Sequence, residues 1–80
     1  MDPDLRIARQ IGAALRRARM ARGMYQYMAA DLAGISKGML SAIETGSRFP
    51  NVQTLTKVLI ALNCSAEEFG RYVGPWGSVR

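Results

Sequence analysis

The chain has 80 residues, enough for one domain whose small size demands efficient burial. It is 49% hydrophobic, with one cysteine and no histidine, which excludes an intrachain disulfide and a Cys/His metal cluster. Net charge is +5, and six of the eleven basic residues (Arg6, Arg9, Arg16, Arg17, Arg19 and Arg22) lie in a stretch without an acid. A solvated helix face is the plain reading of that run. A surface for nucleic-acid phosphates is the sharper one, ahead of an anionic membrane or an acidic partner.

No apolar run approaches the roughly 18 residues of a membrane span. The opening "MDPDLRIARQ" carries acids where a signal peptide carries bases. A soluble, cytoplasmic protein is expected, in keeping with its sparse cysteine.

A first helix is predicted from near Asp2–Asp4, with Asp2 as cap, Pro3 in the first turn and Asp4 at the positive end of the dipole. Ile7, Ile11, Ala14, Leu15 and Ala18 recur at helical spacing, and Gly23 supplies the stop. A second helix fits Tyr25 to Ala33, with Met28, Ala29, Leu32 and Ala33 as its apolar face and Gly34 at its end. Ser36 is a good cap for a third, Lys37 to Thr45, in which Leu40 and Ile43 face inward and Gly46 closes.

"SRFPN" is a loop, since Pro50 disfavours helix before it. Asn51 caps a fourth helix striped by Val52, Leu55, Val58, Leu59 and Leu62. Ser65 and Glu68 have capping-box spacing for a short fifth helix holding Phe69. The remainder, "GRYVGPWGSVR", is rich in glycine and is expected to be irregular, with residues 1–70 as the domain and 71–80 as a tail. Tyr72 and Trp76 in that tail either cover the bundle or contribute to a dimer contact. No strand-like alternation occurs. The fold class is all-α: a compact bundle of four to five short helices.

Helices two and three are joined by about three residues with Gly34 at the joint, the geometry of a helix-turn-helix. In DNA-binding versions the second helix of the pair enters the major groove.

The stretch "LRRARMARGMYQYMAADLAGISKGMLSAIETGSRFPNVQTLTKVLIAL" resembles the phage-repressor-like (Cro/repressor type, XRE) helix-turn-helix domains. The resemblance is carried by Gln26 opening helix two, Ala30, "AGIS" at the turn, Ile43-Glu44, and the spaced Gly46, Arg48 and Pro50, and it covers roughly residues 11 to 69. It implies a lambda-repressor-like fold and a sequence-specific, double-stranded-DNA-binding transcription regulator, most simply a small dimeric repressor. Ser36, Lys37, Gly38, Ser41 and Ala42 map to its base-reading positions. Gln26, Thr45, Ser47 and Arg48 map to phosphate contacts, with Arg16 and Arg22 (and Arg17 and Lys57) as outer ones. Arg19 and Glu44 map to a structural pair tying helix one to the end of the reader helix. Two departures stand out: Tyr25 replaces the usual capping Ser or Thr, and Ala29 stands where a Leu is usual. Either helix two shifts, or Tyr25 or Tyr27 fills the space.

Of the candidate readers only Lys37 is a strong one, able to donate to guanine O6 and N7. Ser41 discriminates poorly, Ala42 can touch a thymine methyl, and Gly38 offers no side chain. The sparse face leaves two further readings: a DNA-binding antitoxin, or a protein-interaction module with the same fold. An enzyme is not expected, because no nucleophile–base pair, metal cluster or phosphate loop is legible. No cofactor and no small-molecule ligand is indicated.

Overall fold

The computed structural model describes residues 3–74, with side chains from Leu5 onward. The cap expected of Asp2 and the role expected of Trp76 lie outside the described residues. Five helices follow in order: α1 (Pro3–Ala21), α2 (Gln26–Ala33), α3 (Lys37–Thr45), α4 (Val52–Ala61) and α5 (Ala66–Val73). Among the described residues there is no strand.

The long α1 is the spine. Ala8, Ile11, Ala14, Leu15 and Ala18 form its buried stripe, and it packs against α3 and α5. The helix-turn-helix unit, α2 and α3, leans on α4 through α2. Leu15, Leu40, Ile43, Val58 and Leu62 meet in the centre, each almost fully buried. Each such side chain is worth about 1.5–3 kcal/mol of hydrophobic transfer.

Gly12 decides how closely α1 approaches α3. A Cβ at this position would fall on the carbonyl oxygen of Ile43 and lie 2.7 Å from that of Glu44. Glycine in mid-helix ordinarily costs about 1 kcal/mol relative to alanine, so here close packing outweighs propensity.

Helix ends follow their caps. The hydroxyls of Ser36 and Ser65 and the amide oxygen of Asn51 accept from the backbone N–H three residues on, at 3.0, 3.0 and 2.8 Å. Gly34 and Gly46 adopt left-handed conformations (φ 72° and 80°), terminating α2 and α3.

Four sequence expectations are corrected. Tyr25 precedes α2 as its extended N-cap rather than opening the helix, and its side chain makes no capping bond. The buried face of α2 is Ala29, Ala30 and Ala33, while Met28 and Leu32 are exposed. The crossing of α2 with α3 and α4 is close enough to admit methyl groups, so the longer side chains turn outward. Val52, in the first turn of α4, is 80% exposed and stands clear of the core stripe. Residues 71–73, expected in the irregular tail, are helical, because α5 runs through Val73. Gln10 Nε2 donates to the Val73 carbonyl at 2.8 Å, Arg17 donates to that of Tyr72 at 3.4 Å, and the half-buried Tyr72 packs on the core.

Candidate nucleic-acid interface

Two buried residues, Leu40 and Ile43, anchor one side of α3. The other side presents Ser36, Lys37 and Gly38, all exposed, and the half-exposed Ser41 and Ala42. The five expected base readers therefore share one accessible surface that runs from the N-cap to Ala42. A Cβ on Gly38 would meet nothing nearer than the Ser36 hydroxyl at 4.0 Å, so this glycine keeps the surface low without being required by packing.

The opposite end of α3 is fixed by charge. Arg19 Nε and Nη2 donate to the two carboxylate oxygens of Glu44 at 2.7 and 3.0 Å, a bidentate fork, and Nη1 donates to the Met24 carbonyl at 2.7 Å. The side chains are 11% and 2% exposed, so this is an enclosed pair. Gln26 Nε2 donates to the same carboxylate at 3.0 Å. Glu44 only accepts, which fixes the Gln26 amide orientation. One carboxylate thus joins α1, the start of α2 and the end of α3. Gln26, expected at a phosphate, spends one amide hydrogen on this joint and has a second to offer.

Beyond α3, Gly46 lies hard against α1: a Cβ there would come within 2.6 Å of the Arg9 Cα. The Thr45 and Ser47 hydroxyls both donate to the Ala42 carbonyl at 3.1 Å, as do the backbone N–H groups of Ser47 and Arg48 at 3.0 and 3.2 Å. With the Gly46 backbone N–H that makes five donors, more than an acceptor with two lone pairs can satisfy. Either hydroxyl can therefore turn to an outside acceptor at little cost. Arg48 is exposed beside them.

Arg16 is exposed at a hollow it lines with Ala13, Arg17, Met20 and Glu44. Arg22 is placed elsewhere. Its Nε donates to the Leu62 carbonyl at 2.9 Å, and its Nη2 to the Asn63 carbonyl at 2.8 Å and the Glu68 carboxylate at 3.0 Å. It clamps the end of α4 to α5, and the outer phosphate contact expected of it would compete with these bonds. Glu68 turns to this clamp after its backbone N–H takes the Ser65 cap.

Tyr25 and Tyr27 do not fill the space beside Ala29. They are 67% and 61% exposed, and their rings stack with centroids 5.9 Å apart and planes 11° apart. With Gln26 and Lys37 they line a hollow at the entry to the helix-turn-helix. Sequence reasoning missed this pair, the close packing at Gly12 and the Arg22 clamp. An unforced glycine in an amphipathic helix was the available signal for the second.

Burial raises the pKa of the Cys64 thiol, with the Glu68 charge adding to the effect and Arg22 and Arg71 opposing it. Among the described residues, no group of three or more Cys, Asp or Glu could hold a metal, and no helix is long and apolar enough to cross a membrane.

A short, accessible helix held at its far end by a buried pair, after a three-residue turn from its partner, is the architecture of a helix-turn-helix DNA-binding domain. The profile of the family described as "Helix-turn-helix" matches residues 15–69, and the chain belongs to this family of XRE-type domains. It is similar to two solved structures. One is the restriction-modification controller protein C.AhdI from Aeromonas hydrophila, with a TM-score of 0.74 and 27% identity over 78% of this chain and 94% of that one. The other is the clp gene regulator ClgR from C. glutamicum, with a TM-score of 0.82 and 28% identity over 92% of both chains. No curated protein sequence matches. The chain is a DNA-binding transcription regulator and not an enzyme.

Proposed function

We propose that the protein is a small dimeric repressor that places α3 in the major groove of a specific operator. The observation that carries this is the division of α3. Its C-terminal end is locked by Arg19, Glu44 and Gln26, and the stretch before that end offers Ser36, Lys37, Gly38, Ser41 and Ala42 to solvent.

Lys37 donates to guanine, Ala42 meets a thymine methyl and Ser41 bonds base edges with little discrimination. Gln26, Thr45, Ser47, Arg48 and Arg16 bond the flanking phosphates and set the register. With one strong reader per copy, much of the selectivity comes from DNA shape and from the spacing of two half-sites. Repression by occupying a promoter needs nothing beyond this domain. The likeness to a controller protein and a gene regulator supports a role in gene control. Such a protein works in the cytoplasm, on the nucleoid.

Selection of bound duplexes from a random pool tests the reading. It should enrich inverted half-sites centred about one helical turn, roughly 34 Å, or a multiple of it apart. A pool without enrichment contradicts sequence-specific repression. A single unpaired site contradicts the dimer.

A further inference from the structure

We infer that the stacked Tyr25–Tyr27 pair is a DNA-backbone contact that also positions Lys37, and so helps determine specificity. The inference rests on the reading of α3 as the reader helix.

The pair is unusual on three counts. Residues two apart do not face each other along a helix. Here they meet because Tyr25 is the extended N-cap (φ −76°, ψ 159°) while Tyr27 is already helical. Aromatic rings generally bury most of their surface, yet both of these remain about two-thirds exposed. The position that would hold a short capping side chain instead carries a large ring that makes no capping bond. Packing and capping therefore leave the pair without a structural role.

Its location supplies one. The rings line a hollow with Gln26 and with Lys37, the one strong base reader on the exposed side of α3. A tyrosine there combines a rigid apolar face with a hydroxyl donor, at a low entropic cost because it has only two side-chain torsions. Stacking reduces that freedom further by holding each ring against the other. The occupant that fits is the deoxyribose-phosphate strand bordering the major groove. The sugar packs on a ring face, a phenol hydroxyl donates to a phosphate oxygen, and Lys37 on the far wall is directed into the groove. The neutral tyrosines add contact without adding counterion release, so they strengthen binding without steepening its salt dependence.

The test uses Tyr25→Phe/Tyr27→Phe and Tyr25→Ala/Tyr27→Ala in the full chain, titrated with a selected duplex and a scrambled one. Wild type and Lys37→Ala are titrated alongside. The Phe variant should bind both duplexes about tenfold more weakly, the worth of a hydrogen bond to a charged acceptor. Its salt slope should match wild type. The Ala variant should also lose most of its preference for the selected duplex, and adding Lys37→Ala to it should change that preference little further. Because the rings are exposed, both variants should keep the wild-type melting temperature, which separates the proposed role from a structural one. Wild-type affinity and preference in both variants overturn the inference while leaving the reader helix intact. A loss in the Ala variant with none in the Phe variant overturns the phosphate contact. A wild-type protein that binds neither duplex overturns the reader-helix reading and this inference with it.

Discussion

Removing the Glu44 carboxylate tests the joint on which the reader helix depends. In Glu44→Ala, Arg19 loses its bidentate partner and Gln26 its acceptor, inside a site where the two charged side chains are 11% and 2% exposed. Breaking a buried pair by deleting one partner costs about 3–5 kcal/mol, because the remaining charge is stranded. The lower end applies, since Arg19 keeps its bond to the Met24 carbonyl and retains slight access to water. A loss of about 3 kcal/mol lowers the melting temperature of a domain this size by about 12–24 °C. The same two charges on an open surface would contribute less than about 1 kcal/mol. Urea unfolding of wild type, Arg19→Ala, Glu44→Ala and the double variant, followed by circular dichroism, gives the coupling. It should be about 2 kcal/mol, and a value below about 0.5 kcal/mol refutes the argument.

Other substitutions separate packing from binding. Gly12→Ala gains about 1 kcal/mol of helix propensity but drives a methyl onto the Ile43 carbonyl; the net should be a destabilisation of about 2 kcal/mol, and a raised urea midpoint would show that α1 and α3 are not in close contact. Arg22→Ala removes a partly exposed clamp and should cost about 1 kcal/mol in thermal unfolding while leaving the salt dependence of DNA binding unchanged. Cys64 is held neutral by burial, so its folded pKa lies above its unfolded one. The stability this contributes is fully present below the unfolded thiol pKa, about 8.5, and is lost as pH rises through the folded value. Cys64→Ser should flatten that alkaline decline in a pH series of melts.

Much of this was legible in the sequence because it is locally encoded. Ser36 and Gly46 bracket α3, and Asn51 and Ser65 cap the next two helices, each through a backbone bond three residues away. The family pattern located Arg19 and Glu44, 25 residues apart, which periodicity could not have paired. What escaped depends on distances between helices. The Arg22 clamp spans more than 40 positions and required the relative placement of α1, α4 and α5. The rotation of α2 escaped because hydrophobicity ranks Met28 and Leu32 above Ala29 and Ala30, whereas a close helix crossing selects for small size. The stacked tyrosines escaped because their meeting depends on the extended backbone at Tyr25.

The central claim is that the exposed half of α3 reads DNA through Lys37. Equilibrium titration of wild type and Lys37→Ala, against the selected duplex and a scrambled one at several salt concentrations, tests it most directly. Wild-type affinity should fall steeply with salt for both duplexes. Lys37→Ala should weaken binding to the selected duplex by about 1–3 kcal/mol more than to the scrambled one. Equal weakening on both duplexes would make Lys37 a phosphate contact and contradict base reading by α3, and wild-type binding indifferent to salt would contradict the DNA interface itself.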